Sequence, residues 1–195
     1  MKKILIPIIA ILILLTTLYL NRQVKHTVTI NKPISEVWRY ASDSTKATDW
    51  SIYFHHISPL PGIEDGKIGS VRRCYRRADE SGATWDEEVL VVEKEKYRQL
   101  RTYNLQNFNN PVLKDAVFRV HQIYEKIDEN TSKLTFASEY IGPMDLEIIK
   151  ALLPAAKETE RIFKANLENI KAAIEQGENY QRPHPYEEKN IFDKQ

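Results

Sequence analysis

The sequence predicts an α+β fold in which an antiparallel sheet is covered by one long helix, and three observations carry that prediction. Short runs with a two-residue apolar period recur between residues 24 and 141, separated by tight turn chemistry. Two short amphipathic segments interrupt the series after its first member. A closing stretch, residues 142–177, then carries an apolar stripe at helical spacing, Phe163, Leu167, Ile170 and Ile174. Many short strands followed by one helix read as a meander with one face to bury, and that helix is the element available to bury it.

In chain order, "VKHTVTIN" alternates Val24, His26, Val28 and Ile30 and forms the first strand. Asn31-Lys32-Pro33 breaks it, with Pro33 placed where its fixed φ suits a helix start. Ile34, Val37, Trp38 and Ala41 follow at helical spacing, which puts a tryptophan on the buried face. "SDSTKATDW" supplies a cap and a second short helix ending near Trp50. Further strand runs cover residues 53–58, 70–77, 84–93, 98–104, 116–127 and 133–141. The turns between them are "LPGIEDGKIG", "ADESGA", "EKEK", "NFNNPVLKD" and "DENTS". In the closing stretch Pro154 is expected to end one short helix and open the next. Phe163, Leu167, Ile170 and Ile174 mark the stripe, and Gly177 is a good C-terminal stop. The polar, proline-bearing "ENYQRPHPYEEKNIFDKQ" is expected to be a loose tail.

Composition narrows the function classes. The 195 residues are 42% hydrophobic and 28% charged, which is globular, and the formal net charge of +1 gives no reason to propose nucleic acid as a partner. The single cysteine, Cys74, excludes an internal disulfide and a cysteine-based zinc site and reads as a small buried apolar residue. At the N-terminus two lysines precede an apolar run, residues 4–20, of about 17 residues or ~26 Å of helix, the short end of a membrane span. Its flank "TTLYLNRQ" has no small-x-small cleavage site, so an uncleaved anchor is expected. Lys2 and Lys3 favour a cytoplasmic N-terminus and an extracytoplasmic globular part, opposed by Arg22 and Lys25. The expected organisation is an anchor at 1–22, a domain at 23–177 and a tail at 178–195.

Several phrases carry a resemblance. "INKPISEVWRYASDSTKATDW", "GSVRRCYRR", "TWDEEVLVVEKEKYRQLRTYN" and "ANLENIKAAIE" resemble the entry segment, central hairpins and closing helix of the START-like superfamily, also called SRPBCC or polyketide cyclase/dehydrase-like. The resemblance spans residues 24–176. It implies a helix-grip fold, in which the sheet grips the long helix and the two small helices close one end of a cavity for apolar ligands.

The candidate site residues follow from strand phase and that resemblance. Trp50, Tyr53, Tyr75, Trp85, Tyr103, Phe118, Phe136, Tyr140 and Phe163 are read as one aromatic interior, with Phe163 and Leu167 forming its helical wall. Glu87 shares a strand face with Trp85 and Val89, so it is the candidate pocket carboxylate, with Arg73 or Arg101 as its partner. His55 and His56, as strand neighbours, would point to opposite faces and not share a metal. No Ser-His-Asp order, phosphate loop or dinucleotide fingerprint is present, and no cofactor is expected. The expected function is binding of a hydrophobic or amphipathic, lipid-like molecule beside a membrane. A cyclase- or hydrolase-type enzyme using pocket Tyr, Arg and Glu, or a protein-interaction module, are the alternatives.

Overall fold

The computed structural model describes residues 23–189 and Phe192, so the expected anchor at residues 4–20 lies outside the described part. Among the described residues no helix is long and apolar enough to cross a membrane. Strand β1 (Gln23–Ile30) leads into helix α1 (Ile34–Ala41), a 3-10 turn (Ser44–Lys46) and helix α2 (Ala47–Trp50). Strands β2 (His56–Pro59), β3 (Val71–Tyr75), β4 (Thr84–Glu93), β5 (Tyr97–Gln106), β6 (Phe118–Lys126) and β7 (Ser132–Tyr140) follow, and helix α3 (Leu146–Gln176) comes last. The strands form one sheet in the order β1-β7-β6-β5-β4-β3-β2, every neighbour antiparallel. This is the helix-grip α+β arrangement.

Local chemistry sets the entry elements. The carbonyl of Pro33 accepts from the amides of Glu36 and Val37 at 3.0 and 3.3 Å, which closes the first turn of α1. Val37 and Ala41 are buried at 0% and 3% exposure. Trp38, expected on the buried face, instead lies half-buried at its edge, with its ring 4.8 Å from that of Tyr124. The apolar stripe of α1 is narrow, and the smaller Val37 takes the central position.

Helix α3 departs from expectation at Pro154. Asp145 caps it, accepting from the amide of Ile148 at 2.8 Å, and it runs unbroken to Gln176 with Pro154 inside. Pro154 is exposed, while Ala151, Ala155 and Ile162 stay buried on either side of it. The apolar stripe therefore continues through the proline, and packing outweighs the missing N–H and the ring clash. Beyond α3, residues 178–189 are not loose. The amide of Glu187 donates to the carbonyl of Ile52 at 2.9 Å, and His184 pairs its backbone with the buried side chain of Asn169. Polar composition hid this docking because it runs through backbone groups and polar side chains rather than through an apolar stripe.

The space between helix and sheet has two halves. Under the second half of α3, Leu167 and Ile170 meet Ile30, Val37, Leu134 and Phe136 in a solid core. Under the first half the cavity-facing positions include Ala155, Ala156 and Thr159, too short to reach the opposing strands, and a cavity remains. Because Pro154 is exposed and interior to a continuous helix, Pro154→Ala should stabilise the domain by about 1–3 kcal/mol. The check is the urea midpoint; an unchanged or lower midpoint would mean that the helix does not continue through this position.

Candidate ligand pocket

The cavity under α3 has a volume of about 320 Å³. Its floor is the inner face of the sheet: Trp85 and Glu87 on β4, Leu100 and Thr102 on β5, Phe118 and Gln122 on β6, Phe136 and Tyr140 on β7. Leu152, Ala155, Ala156, Thr159, Ile162 and Phe163 of α3 roof it. Trp50, Tyr53 and Phe54 close it from α2 and the loop beyond, and Phe108, Leu113, Met144 and Phe192 complete the wall. The rings pack on one another: Tyr53 stacks on Trp85 at 5.4 Å, Phe54 meets Trp85 edge-on at 6.0 Å, and Phe136 meets Phe163 at 5.9 Å.

One charged spot interrupts this apolar lining. The pairing Arg72↔Glu87↔Thr102 sets three polar residues in one row across β3, β4 and β5. Arg72, 5% exposed, donates from Nε and Nη2 to the same Glu87 oxygen at 3.0 and 2.8 Å. The other carboxylate oxygen accepts from Trp85 Nε1 at 3.3 Å. Burial pulls the Arg72 guanidinium down, and Glu87 beside it more than compensates, so its pKa ends above the ordinary value. Burial pushes the thiol of Cys74, the next inward residue on β3, well up, which leaves it an inert core group. A second inward arginine, Arg98, donates to the carbonyl of Ser42 at 3.1 Å; burial and repulsion from Arg72 push it down to about 10. Two further polar atoms of the pocket wall, Thr102 Oγ1 and Trp50 Nε1, are buried without a hydrogen-bond partner among the described residues.

The structure brings Trp50, Tyr53, Trp85, Glu87, Phe118, Phe136, Tyr140 and Phe163 together around the cavity. It does not bring Arg73, Tyr75, Arg101 or Tyr103 there. Arg73 faces outward and forks onto Asp86 at 2.7 and 2.9 Å, where Asn104 also donates at 2.6 Å. Arg101 pairs with Glu88 and lies over the ring of Tyr103 at 4.8 Å, also outside. Tyr75 stacks on His56 at 4.7 Å. The error lies in the phase of β3, inferred from Val71 and Tyr75, whereas Arg72, Cys74 and Arg76 hold the inward positions. Cross-strand register was the available signal, since a residue opposite Trp85 or Glu87 must share its face, and those residues are Cys74 and Arg72. Leu167 is fully buried but belongs to the solid half of the core and does not line the cavity.

His55 and His56 also differ from expectation. His55 precedes β2, outside the strand alternation, so the two rings meet with their Nδ1 atoms 3.2 Å apart. Among the described residues no group of three or more His, Cys, Asp or Glu side chains could hold a metal ion.

Two predictions follow from which face each charge occupies. Arg72→Met strands a buried carboxylate and should cost about 3–5 kcal/mol, whereas Arg101→Met at the exposed outer pair should cost at most ~1 kcal/mol. Equal losses in chemical denaturation would contradict the assigned faces. On the outer face, burial raises the Asp86 carboxyl, but hydrogen bonds from Arg73 and Asn104 outweigh it and hold the pKa below the ordinary value. A depressed folded pKa gives stability that is present above the ordinary aspartate range, roughly pH 4, and is lost as pH falls through the lower folded value. Asp86→Asn should therefore flatten the fall of the denaturation midpoint between about pH 4 and pH 2. An unaltered slope would rule out this carboxylate as a source of the acid sensitivity.

A family described as "Polyketide cyclase / dehydrase and lipid transport" matches residues 21–175. No curated protein matches the sequence. Among solved structures, protein MLL2253 from Mesorhizobium loti is similar at a TM-score of 0.60 and 16% identity, over 80% of this chain and 99% of that one. A Thermobifida fusca protein solved by NMR is similar at 0.59 and 12%, over 82% and 97%. The Zhui aromatase/cyclase from Streptomyces sp. R1128 is similar at 0.56 and 15%, over 78% and 95%. At these identities the structures speak to the fold alone. With the family matched over most of its length and the helix-grip architecture in place, the chain belongs to the polyketide cyclase/dehydrase and lipid transport family of the START-like (SRPBCC) superfamily.

Proposed function

We propose that this protein binds an uncharged hydrophobic or amphipathic small molecule, lipid-like in character, in the cavity under α3. The observation that carries the reading is the composition of that cavity. Aromatic and aliphatic side chains line it, and the two charged residues among the described lining, Arg72 and Glu87, already neutralise each other. A charged ligand would lose its hydration and meet no free counter-charge, whereas a neutral one loses little on entry. Thr102 Oγ1 and Trp50 Nε1 offer hydrogen bonds to a hydroxyl or carbonyl of the guest without demanding charge. The apolar run at residues 4–20 supports a membrane anchor that would keep the pocket beside a source of apolar ligand, and Lys2 and Lys3 favour its placement outside the cytoplasm.

An enzyme of the cyclase type is the second reading, supported by the fold shared with an aromatase/cyclase. Such chemistry needs a pocket group free to move a proton, and both oxygens of Glu87 are engaged, by Arg72 and by Trp85. The binding reading needs no such group.

The test is titration of the full chain with the neutral probe N-phenyl-1-naphthylamine, followed by displacement with a long-chain alcohol and the carboxylate of equal length. One saturable site is expected, with the alcohol displacing the probe at least tenfold better than the carboxylate. Glu87→Gln frees the Arg72 charge and should invert that order. A carboxylate preference in the unsubstituted protein, or an order unmoved by Glu87→Gln, would contradict the neutral-ligand reading.

A further inference from the structure

The carbonyls of the pocket wall formed by residues 50–54 draw their hydrogen bonds from elsewhere. The amide of Ile52 donates to Asn166 of α3 at 2.8 Å, and those of Tyr53 and Phe54 donate to the Ser51 hydroxyl at 3.1 Å each. Each carbonyl from residue 48 to residue 53 accepts a hydrogen bond from outside the segment. Arg182 donates to Thr48 at 3.4 Å and to Ser51, Tyr180 to Asp49 at 3.2 Å, and the amide of Glu187 to Ile52 at 2.9 Å. Those donors all belong to the chain that leaves α3 at Gly177 and runs back across this wall. The remaining two carbonyls are tied to the same chain indirectly. Asn169, fully buried, donates to Trp50 at 2.9 Å and to His184 at 2.8 Å, and accepts from the His184 amide at 2.9 Å. Arg76, also fully buried, donates to the carbonyl of Tyr53 at 2.5 Å; its guanidinium lies 4.8 Å from the Tyr53 ring and 5.1 Å from the Tyr186 ring, and Tyr186 in turn donates to the Arg76 carbonyl.

The same C-terminal chain reaches the cavity itself. Phe192 lines it, 5.7 Å from the ring of Tyr53 and 6.3 Å from that of Phe108, and its carbonyl accepts from the amide of Asn109 at 2.8 Å. When the strap departs, the carbonyls of Thr48, Asp49, Ser51 and Ile52 lose their donors, which loosens the wall. The wall carries Trp50, Tyr53 and Phe54, and its release would open the cavity where those three rings close it.

We propose that the C-terminal strap, residues 180–187 with Phe192, is the latch for ligand exchange: it holds the wall of residues 50–54 shut, and its detachment admits and releases the ligand. Arg182 and Tyr186 are positioning residues in this scheme, since they act on the ligand through the wall. The inference rests on the pocket reading above, and its test separates the two.

The experiment uses the full chain with the double change Arg182→Ala and Tyr186→Phe, and in parallel Arg182→Lys, which keeps the charge but loses the fork that spans Thr48 and Ser51. Stopped-flow release of N-phenyl-1-naphthylamine is read together with hydrogen exchange at the amides of Ile52, Tyr53 and Phe54. Release at least tenfold faster in the double variant, with faster exchange at those amides and unaltered exchange in β5–β7, is the expected result. Unchanged release and unchanged exchange would overturn the latch. Probe uptake absent from the unsubstituted chain would overturn the pocket reading and the latch with it, whereas uptake with release unmoved in the double variant would overturn the latch alone.

Discussion

Close packing asks the side chains of α3 to fill the space above the inner face of the sheet, and they do so along only half of the helix. Where α3 offers Leu167 and Ile170, the core is solid from β1 to β7. Where it offers Ala155, Ala156 and Thr159, the same backbone spacing leaves a void that the sheet's aromatics border but do not fill. A natural domain does not keep a hole of this size for stability, since each unfilled methylene volume forfeits dispersion contacts. The hollow half is the part of the fold that packing does not explain, and it is where a ligand would restore the missing contacts.

The polar residues within that half obey the same economy. A guanidinium and a carboxylate both lose hydration there, and the Arg72–Glu87 pair with the indole of Trp85 recovers it through direct hydrogen bonds. The outer face solves the same problem with Arg73, Asp86 and Asn104. Opposite-charge pairs thus sit back to back on β3 and β4, Arg72 with Glu87 inside and Arg73 with Asp86 outside. A one-residue slip would still set Arg72 and Arg73 opposite acids, Glu88 and Glu87. The register is therefore held by the apolar residues, since the slip would turn Trp85 and Val89 outward.

Much of this fold was legible in the sequence, because period-2 alternation and a helical stripe are direct consequences of a one-sided sheet under a helix. The strand runs, the short helices after Pro33 and the closing stop at Gly177 follow from that, whereas the place of β1 beside β7 departs from the expected meander. The phase of β3 was not legible, since its buried positions hold Arg72 and Arg76 while Val71 and Tyr75 occupy the outer face. Burial of a charged residue is decided by a partner on another strand, which no local pattern records. Pro154 misled for a similar reason: its local preference lost to contacts made by Ala151, Ala155 and Ile162. The C-terminal strap was illegible because polar side chains, Arg182, Tyr180, Tyr186 and the buried Asn169, hold it through backbone groups far away in sequence, and none of these leaves a trace in hydropathy.

The central claim is that the void under α3 exists to be occupied, and native mass spectrometry of the full chain extracted in detergent tests it most directly. The account predicts a non-covalent adduct of a neutral, apolar compound that disappears on denaturation and is absent from Ala155→Phe, whose ring would intrude into the cavity. A bare chain in the unsubstituted protein, or an adduct that persists in Ala155→Phe, would contradict it.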